Sequence, residues 1–521
     1  MNATTGLHWL LIAGGAIAVA AVARRRGWPA PLMLVLAGLA VSPLLPPYAL
    51  DPELILFVFL PPLLYSAALD SSYLRLRDVK RAVALLSIGL VLFTTAVVGL
   101  VVHLMLPDLS LAAAFALGAI IAPPDAVAAV AVGRRLGLPR RTLTILVGES
   151  LFNDATALTA YRVAIGAAVG GTVETLPALG EFVYAALGGV LIGVALALVF
   201  GWLLERVRDP LVENTVMLLI PFAAYLAAES VHASGVIAVV IVGLYLGNRM
   251  HRTGFGTRLV SDAVWRVTDF FLETIVFALI GLQLYPIVTG LHGYGAGEIV
   301  FYVLVVFGVT VLARFVWVFA ATYLPWLLVR GDPPPWRDTV VIGWAGMRGV
   351  VSLAAAFAIP PGMADRDLLL FLTFTTVIGT LLVQGLSFPM LIRRLKVSAE
   401  REQYEDDLAE AAAQQAAAQA GLERLEEVLA RDGVDETHVE VIEQLRAKSA
   451  RRALTAWERL GGGTGQGGAE TPSAIYRRLR REMLEAEREV FVRLRDERRL
   501  EDEVLRRVMA DLDFEEAILE R

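Results

Sequence analysis

The sequence predicts an all-α membrane protein followed by a soluble helical tail, and three observations carry this fold class. The 521 residues are 56% hydrophobic and 19% charged, with a mean hydropathy of +0.62, whereas soluble domains carry about 25% charged residues. The charge is also unevenly spread. Of the 46 basic and 52 acidic side chains, 20 and 29 fall in residues 401–521, which leaves 26 and 23 for the first 400. Those 400 residues divide into apolar stretches near the ~20 residues that cross a bilayer as a helix. A transmembrane domain over 1–396 and a helical tail over 397–521 follow. The absence of cysteine excludes disulfides, thiol nucleophiles and iron–sulfur ligation. The net charge of −6 comes from the tail and offers no basic footprint for nucleic acid, and no phosphate-cradling loop for a nucleotide is present.

Thirteen apolar stretches run approximately over 7–23, 28–48, 53–70, 82–105, 111–132, 142–165, 179–203, 212–230, 234–247, 264–285, 298–325, 338–361 and 367–392. The first has no basic residues before it and three arginines after it, so it reads as a retained helix rather than a signal peptide. The ninth is short, with only Ala233, Ser234 and Gly235 to separate it from the eighth. Cytoplasmic loops concentrate Lys and Arg. Base follows every odd-numbered stretch: Arg24 to Arg26, Arg75 to Arg81, GRRLGLPRR (133–141), Arg206 and Arg208, Arg249 to Arg258, Arg330 and Arg337, and Arg393 to Lys396. The loops after even-numbered stretches hold almost none. The alternation predicts a multi-pass protein of the cell (inner) membrane with its N-terminus outside and its tail in the cytoplasm.

An odd count permits six plus one plus six, the arrangement of inverted repeats. Under that pairing the fifth stretch matches the twelfth, and both carry helix breakers at mid-membrane: Pro123-Pro124 in IIAPPDAVAAV and three glycines in GWAGMRG (343–349). Paired breaks of this kind point to a binding site on broken, crossing helices.

Ionisable groups at the bilayer centre cost about 2.5–3.5 kcal/mol or more each on insertion scales. Asp125, Glu149, Asp154, Arg314 and Arg348 therefore each need a reason. Asp125 follows the proline break, where unwound backbone is expected to supply free carbonyls beside a carboxylate. In GESLFNDATALTAYR (148–162), Ser150 and Asp154 stand four apart with Asn153 adjoining, so hydroxyl, amide and carboxylate oxygens gather near one helical face. Glu149 is the natural partner for one arginine. If it neutralises Arg314, Asp154 is left without a fixed counter-ion, and Arg348 remains to support the broken helix. Asp269 and Glu273, one turn apart, are placed to line an inner funnel or to cap the interface. The six histidines show no metal-ligand spacing.

IIAPPDAVAAV, GESLFNDATALTAYR and GWAGMRGVVSLAAAFAIP resemble the signature segments of bacterial sodium/proton antiporters of the monovalent cation:proton antiporter-1 family, the NhaP and NHE-like group. The resemblance spans the membrane domain. It implies that Asp154 of the Asn-Asp pair alternately carries cation and proton, that Asn153, Ser150 and Asp125 lie in or beside the site, and that Glu149 and Arg314 form a structural ion pair. It implies no resident cofactor, only the transported Na+, Li+ or K+ and H+. It further implies a homodimer in lipid and alternating access between a half holding stretches 3 to 6 and 10 to 13 and a scaffold containing 1, 2, 8 and 9. Two departures stand out. Prolines occupy 123 and 124 where the family often has Thr or another residue, and its third helix often has an acid near the position of Ser66, the nearest carboxylate here being Asp70.

Burial disfavours an ionised carboxylate and a bound cation restores it, so protons and Na+ compete for Asp154. One titrating carboxylate gives electroneutral 1:1 exchange. Two other classes fit parts of the pattern: a Na+- or H+-coupled transporter of another solute, and an intramembrane aspartyl protease using Asp125 and Asp154, which lacks the expected Gly-x-Gly-Asp context. In the tail, residues 401–460 read as charged helices, GGGTGQGG (461–468) as a linker, and the remainder to about 519 as a helical segment. A regulatory role or a dimer contact is expected of it.

Overall fold

The computed structural model describes residues 3–44, 52–170, 175–207, 209–291, 293–328, 334–360, 362–363, 365–432, 439–460 and 471–519. The linker expected at 461–468 lies outside them, as do His292 and His438. The chain divides into two compact units, Met1–Ser398 and Ala399–Arg521. Helix is the only regular structure among the described residues.

The first unit contains α1 (Ala3–Arg26), α2 (Ala30–Val41), α3 (Pro52–Leu69), α4 (Tyr73–Asp78), α5 (Lys80–Ala84), α6 (Val91–Met105), α7 (Leu111–Ile121), α8 (Val127–Arg135) and α9 (Arg140–Gly170). It continues through α10 (Thr175–Leu204), α11 (Pro210–Glu229), α12 (Gly235–Arg249), α13 (Phe255–Thr289), α14 (Ala296–Leu328), α15 (Trp336–Trp344), α16 (Val350–Phe357), α17 (Arg366–Thr380) and α18 (Leu386–Leu395). Single π-helical segments at Leu85–Leu90 and Leu381–Gly385 join α5 to α6 and α17 to α18. Seven rods among the described residues are long and apolar enough to cross a bilayer unbroken: Gly6–Arg26, Lys80–Met105, Gly180–Leu204, Pro210–Glu229, Phe255–Thr289, Ala296–Leu324 and Arg366–Leu395.

The other six apolar stretches fall short for identifiable reasons. The fifth and twelfth are split by non-helical backbone at 122–126 and 345–349. The sixth folds as α9 but carries Arg140, Arg141, Glu149, Asp154 and Arg162. The third has described side chains only over Leu56–Leu69 and the ninth forms a helix of 15 residues, and the second continues into residues outside the described set. The weak separator before the ninth stretch is a real turn. His232 adopts left-handed backbone (φ 58) and the Ser234 hydroxyl caps α12 by accepting from Ile237 N, a strong helix start signal.

Packing in this unit relies on close backbone approach. A methyl group on Gly38 of α2 would stand 2.7 Å from the Ala278 carbonyl oxygen of α13, and one on Gly247 of α12 would clash with the Leu69 backbone of α3. Small residues at helix crossings let backbones touch where lipid supplies no hydrophobic drive. α10 turns Leu187, Leu191, Val194 and Leu198 outward, one stripe at helical spacing of a kind that water disfavours and hydrocarbon accepts. α1 packs on α2 and α13, burying Ala16, Ala20 and Ala23.

The second unit contains α19 (Glu400–Asp432), α20 (Val439–Leu460), α21 (Pro472–Asp496) and α22 (Asp502–Leu519). The helical segment expected after the linker consists of two helices with a turn around Arg498, whose φ is 59. They close on Leu484, Phe491, Met509, Leu512 and Leu519, and Arg480 reaches Glu515 and Arg488 reaches Asp513 and Glu516 across the pair. The local sequence Asp496-Glu497-Arg498-Arg499 has no apolar residue to anchor a continuing helix.

Gly247→Leu should destabilise the first unit by about 1–3 kcal/mol through overpacking, read as a lower melting temperature in detergent. Gly166→Leu, at a glycine with open space around it, should leave that temperature within error. Equal temperatures for both variants would contradict the packing role.

Candidate functional site

The two interrupted helices meet. Pro123 and Pro124 lack the amide hydrogens that would continue α7 and clash with its last turn, so residues 122–126 run as open backbone until α8 begins. On the other side α15 ends at Trp344 and α16 begins after Gly349. The Asp125 amide donates to the Met347 carbonyl at 2.7 Å, the Arg348 guanidinium donates to the Ala122 carbonyl, and the Arg348 amide donates to Thr380 Oγ1 at 3.0 Å. Gly346 and Gly349 are required by proximity. A methyl on the first would stand 2.5 Å from the Arg314 side chain, and one on the second would overlap the Asp125 carboxylate.

α9 faces this crossing. Glu149 and Arg314 are 1% and 0% exposed and form a two-pronged ion pair at 2.5 and 2.9 Å. Arg314 also donates to the Ile342 carbonyl from Nε and Nη2 at 3.2 and 2.9 Å, so α14, α9 and the end of α15 are tied at one point. Planar guanidinium suits this fork geometry. Next to Glu149, Ser150 Oγ accepts from the Ala126 amide at 3.4 Å, and one turn on Asn153 Nδ2 donates to the Pro124 carbonyl at 2.6 Å. Asn153 Oδ1 is buried with no partner among the described residues, a cost of about 1–3 kcal/mol for an acceptor left dry. Asp154 is 7% exposed and close enough to Asp125 for their charges to interact. Among the described residues no hydrogen bond or ion pair holds its carboxylate.

Part of the unwound backbone around Asp125 is tied up. The Ala122, Pro124 and Met347 carbonyls already accept from Arg348, Asn153 and Asp125. The side-chain oxygens available to a cation are those of Asp154, Asn153 Oδ1, Ser150 Oγ and the Asp125 carboxylate, of which one oxygen caps α8 by accepting from Val127 N at 2.9 Å. This is a hard-oxygen set with few charges, suited to a monovalent ion. No group of three or more His, Cys, Asp or Glu side chains among the described residues is arranged to hold a metal.

A family model described as "Sodium/hydrogen exchanger, transmembrane" matches residues 11–394. The chain belongs to the sodium/hydrogen exchanger family. This exchanger is 32% identical over 512 residues to an uncharacterized Na(+)/H(+) exchanger of Mycobacterium tuberculosis, covering 94% of this chain and 91% of the relative. It is 33% identical over 385 residues to the sodium, potassium, lithium and rubidium/H(+) antiporter of Bacillus subtilis, covering 70% and 58%, and 34% identical over 380 residues to a Na(+)/H(+) antiporter of Aphanothece halophytica, covering 72% and 71%. Its fold matches that of the sodium proton antiporter MjNhaP1 from Methanocaldococcus jannaschii at pH 8, with a TM-score of 0.61 and 20% identity over 76% of this chain and 99% of that one. The exchanger is thus a membrane-embedded transporter and not an enzyme, which sets aside the protease reading of Asp125 and Asp154. The antiporter relatives likewise do not favour a carrier of another solute.

Two further features of the exchanger's site come from Arg348, inside the GWAGMRG segment, and from Ser66, outside the motifs. Arg348 stands at the C-terminal end of α7, where the helix dipole is negative and favours a cation. Ser66, at the third-helix position where an acid was expected from the resemblance, donates to Asp269 Oδ2 at 2.5 Å. The carboxylate there comes from α13 instead. Glu273, one turn further, lies within electrostatic reach of both Asp269 and Asp125. Asp269 and Glu273 therefore extend the acidic surface from Asp125 toward Asp70. Thr380 gave no signal in the sequence, since it belongs to no motif and acts only by being brought to Arg348.

Arg314→Met leaves Glu149 buried and unpaired and should cost about 3–5 kcal/mol, seen as loss of monodisperse protein on size-exclusion chromatography after mild heating. Combining it with Glu149→Met should recover most of that stability. A singly substituted protein as stable as wild type would contradict the pairing.

Proposed function

We propose that the protein exchanges one monovalent cation, Na+ foremost, for one proton, with Asp154 as the shared carrier. The observation that supports this most is the contrast between two carboxylates one turn and a half apart on α9. Glu149 has a permanent counter-ion in Arg314, and Asp154 has none among the described residues. An isolated ionised carboxylate in a dry interior is strongly disfavoured, so Asp154 is stable only when protonated or when holding a cation. Asn153 Oδ1, Ser150 and Asp125 complete the cation's oxygens.

The fixed charges support the stoichiometry. Asp125 and Glu149 against Arg314 and Arg348 sum to zero, so the site is neutral with either a proton or a monovalent cation on Asp154. Both loaded forms carry the same charge, and membrane voltage then does no work on the cycle. Arg348, Pro123 and Pro124 hold the crossing open at fixed spacing.

The broader reading is that residues 1–396 cross the membrane thirteen times as two inverted six-helix repeats around a central helix, with the N-terminus outside. Residues 397–521 form a cytoplasmic regulatory tail, and two copies associate through α1, α2, α11 and α12. Paired breaks at 122–126 and 345–349 and the alternation of basic loops support this plan. The protein would serve pH and sodium homeostasis.

In everted vesicles, adding NaCl should dequench a pH-sensitive dye, LiCl and KCl ranking the cations, and Asp154→Asn should abolish the signal for every salt. Activity surviving that substitution would overturn the carrier assignment. In proteoliposomes with fixed ion gradients, imposing a membrane potential should leave the rate unchanged. A rate that follows voltage would contradict 1:1 exchange.

A further inference from the structure

Beyond Asp154 on α9 the protein has a cavity of about 420 Å³ bounded by α9, α10, α11 and the α11–α12 turn, with Ala155, Leu158, Arg162, Glu181, Glu229 and His232 among its lining. Leu158 and Arg162 follow Asp154 at i+4 and i+8. They stand on its own helical face, with Arg162 about 12 Å further along the axis. The cavity therefore leads from the end of α9 toward the carrier carboxylate. By the loop charges this end is the outer one.

Arg162 Nη2 donates to both oxygens of Glu229 at 3.0 Å. The pair joins the helix that bears Asp154 to the α11–α12 turn, which is itself held by Tyr184 Oη donating to the Val231 carbonyl at 3.0 Å and by Gly235 N donating to Glu229 at 3.4 Å. With side chains 52% and 27% exposed, the pair is hydrated enough to break. Two consequences follow from its charge. While closed, it places a permanent cation in a cavity through which cations must pass. While open, it leaves Glu229 and Glu181 as two carboxylates in a confined space, which concentrates cations.

We propose that the Arg162–Glu229 ion pair is a gate at the outer mouth of the cation path, and that Glu229, released from Arg162, is the first carboxylate to receive an arriving Na+. The proposal rests on Asp154 being the carrier. Because the bridge links the carrier helix to α11–α12, the closed pair favours the state shut on that side. A latch of this kind acts on both sides with opposite sign. Removing it raises the population open outward and lowers the one open inward, so apparent affinity improves outside and weakens inside, and the ratio of the two changes by the full factor. An exposed pair shifts such an equilibrium by no more than about five-fold.

In sided proteoliposomes, Arg162→Gln should lower the KM for Na+ presented at the outer face and raise it at the inner face, so that the outer-to-inner ratio falls about two- to five-fold. The charge-swapped protein, Arg162→Glu with Glu229→Arg, should return both toward wild type. The cysteine-free background permits a second test. Two long side chains that meet tip to tip set their backbones too far apart for a disulfide, so Arg162→Cys with Glu229→Cys is bridged with a reducible bifunctional thiol reagent. Exchange should fall at least ten-fold on bridging and recover on reduction, with either single substitution unaffected by the reagent. Full exchange in the bridged protein, or KM values that stay fixed or move together on the two sides, would overturn the gate. If that happens while Asp154→Asn is inactive, the carrier assignment stands and only the gate falls; if Asp154→Asn is active, both fall.

Discussion

The Glu149–Arg314 pair governs what the neighbouring carboxylate can do. Burying either ion alone is prohibitive, and burying both is tolerated because the guanidinium fork satisfies two carboxylate oxygens and the Ile342 carbonyl together. The pair thereby uses up the one arginine that reaches across from α14. Arg348 is committed to the end of α7. Among the described residues nothing permanent is left for Asp154, and the transported ion proposed for it can fill that role only because no fixed charge does.

The same constraint explains why the helices break where they do. A continuous α7–α8 rod would have its backbone polar groups bonded internally and would present only side chains. Interrupting it exposes carbonyls that must find donors in a medium without water, and the second interruption supplies them: Arg348 for Ala122, and Met347 in return for the Asp125 amide. Each break is the other's hydrogen-bond partner. Asn153 completes the exchange from α9 through Pro124, and the orientation of its amide leaves Oδ1 without a donor. The proposed cation shell is thus a by-product of satisfying the crossing.

Much of this was legible in the chain. Proline pairs, glycine triplets and charges inside apolar stretches are costly in a membrane, so they mark the site directly, and the segments around Asp125, Asp154 and Arg348 do come together in space. Apolar length was the less faithful guide. The fifth, sixth and twelfth stretches do not qualify as unbroken apolar rods because they hold the breaks and the charges. What could not be read was the pairing of Ser66 with Asp269, 203 residues apart, or the fact that the Ala122, Pro124 and Met347 carbonyls are already occupied. Both depend on which helices adjoin, information that local pattern does not contain. In the tail, helical periodicity was plain but the turn at Arg498 was not, since its residues are as polar as the exposed faces around them.

The central claim is competition between a proton and a cation for one carboxylate, and proton release on binding measures it without transport. Detergent-solubilised protein in weakly buffered solution at a pH where Asp154 is protonated is titrated with NaCl while pH is recorded. One proton should be released per Na+ bound, and Asp154→Asn should release none. Sodium binding with no proton released from the wild-type protein, or undiminished release from Asp154→Asn, would contradict it.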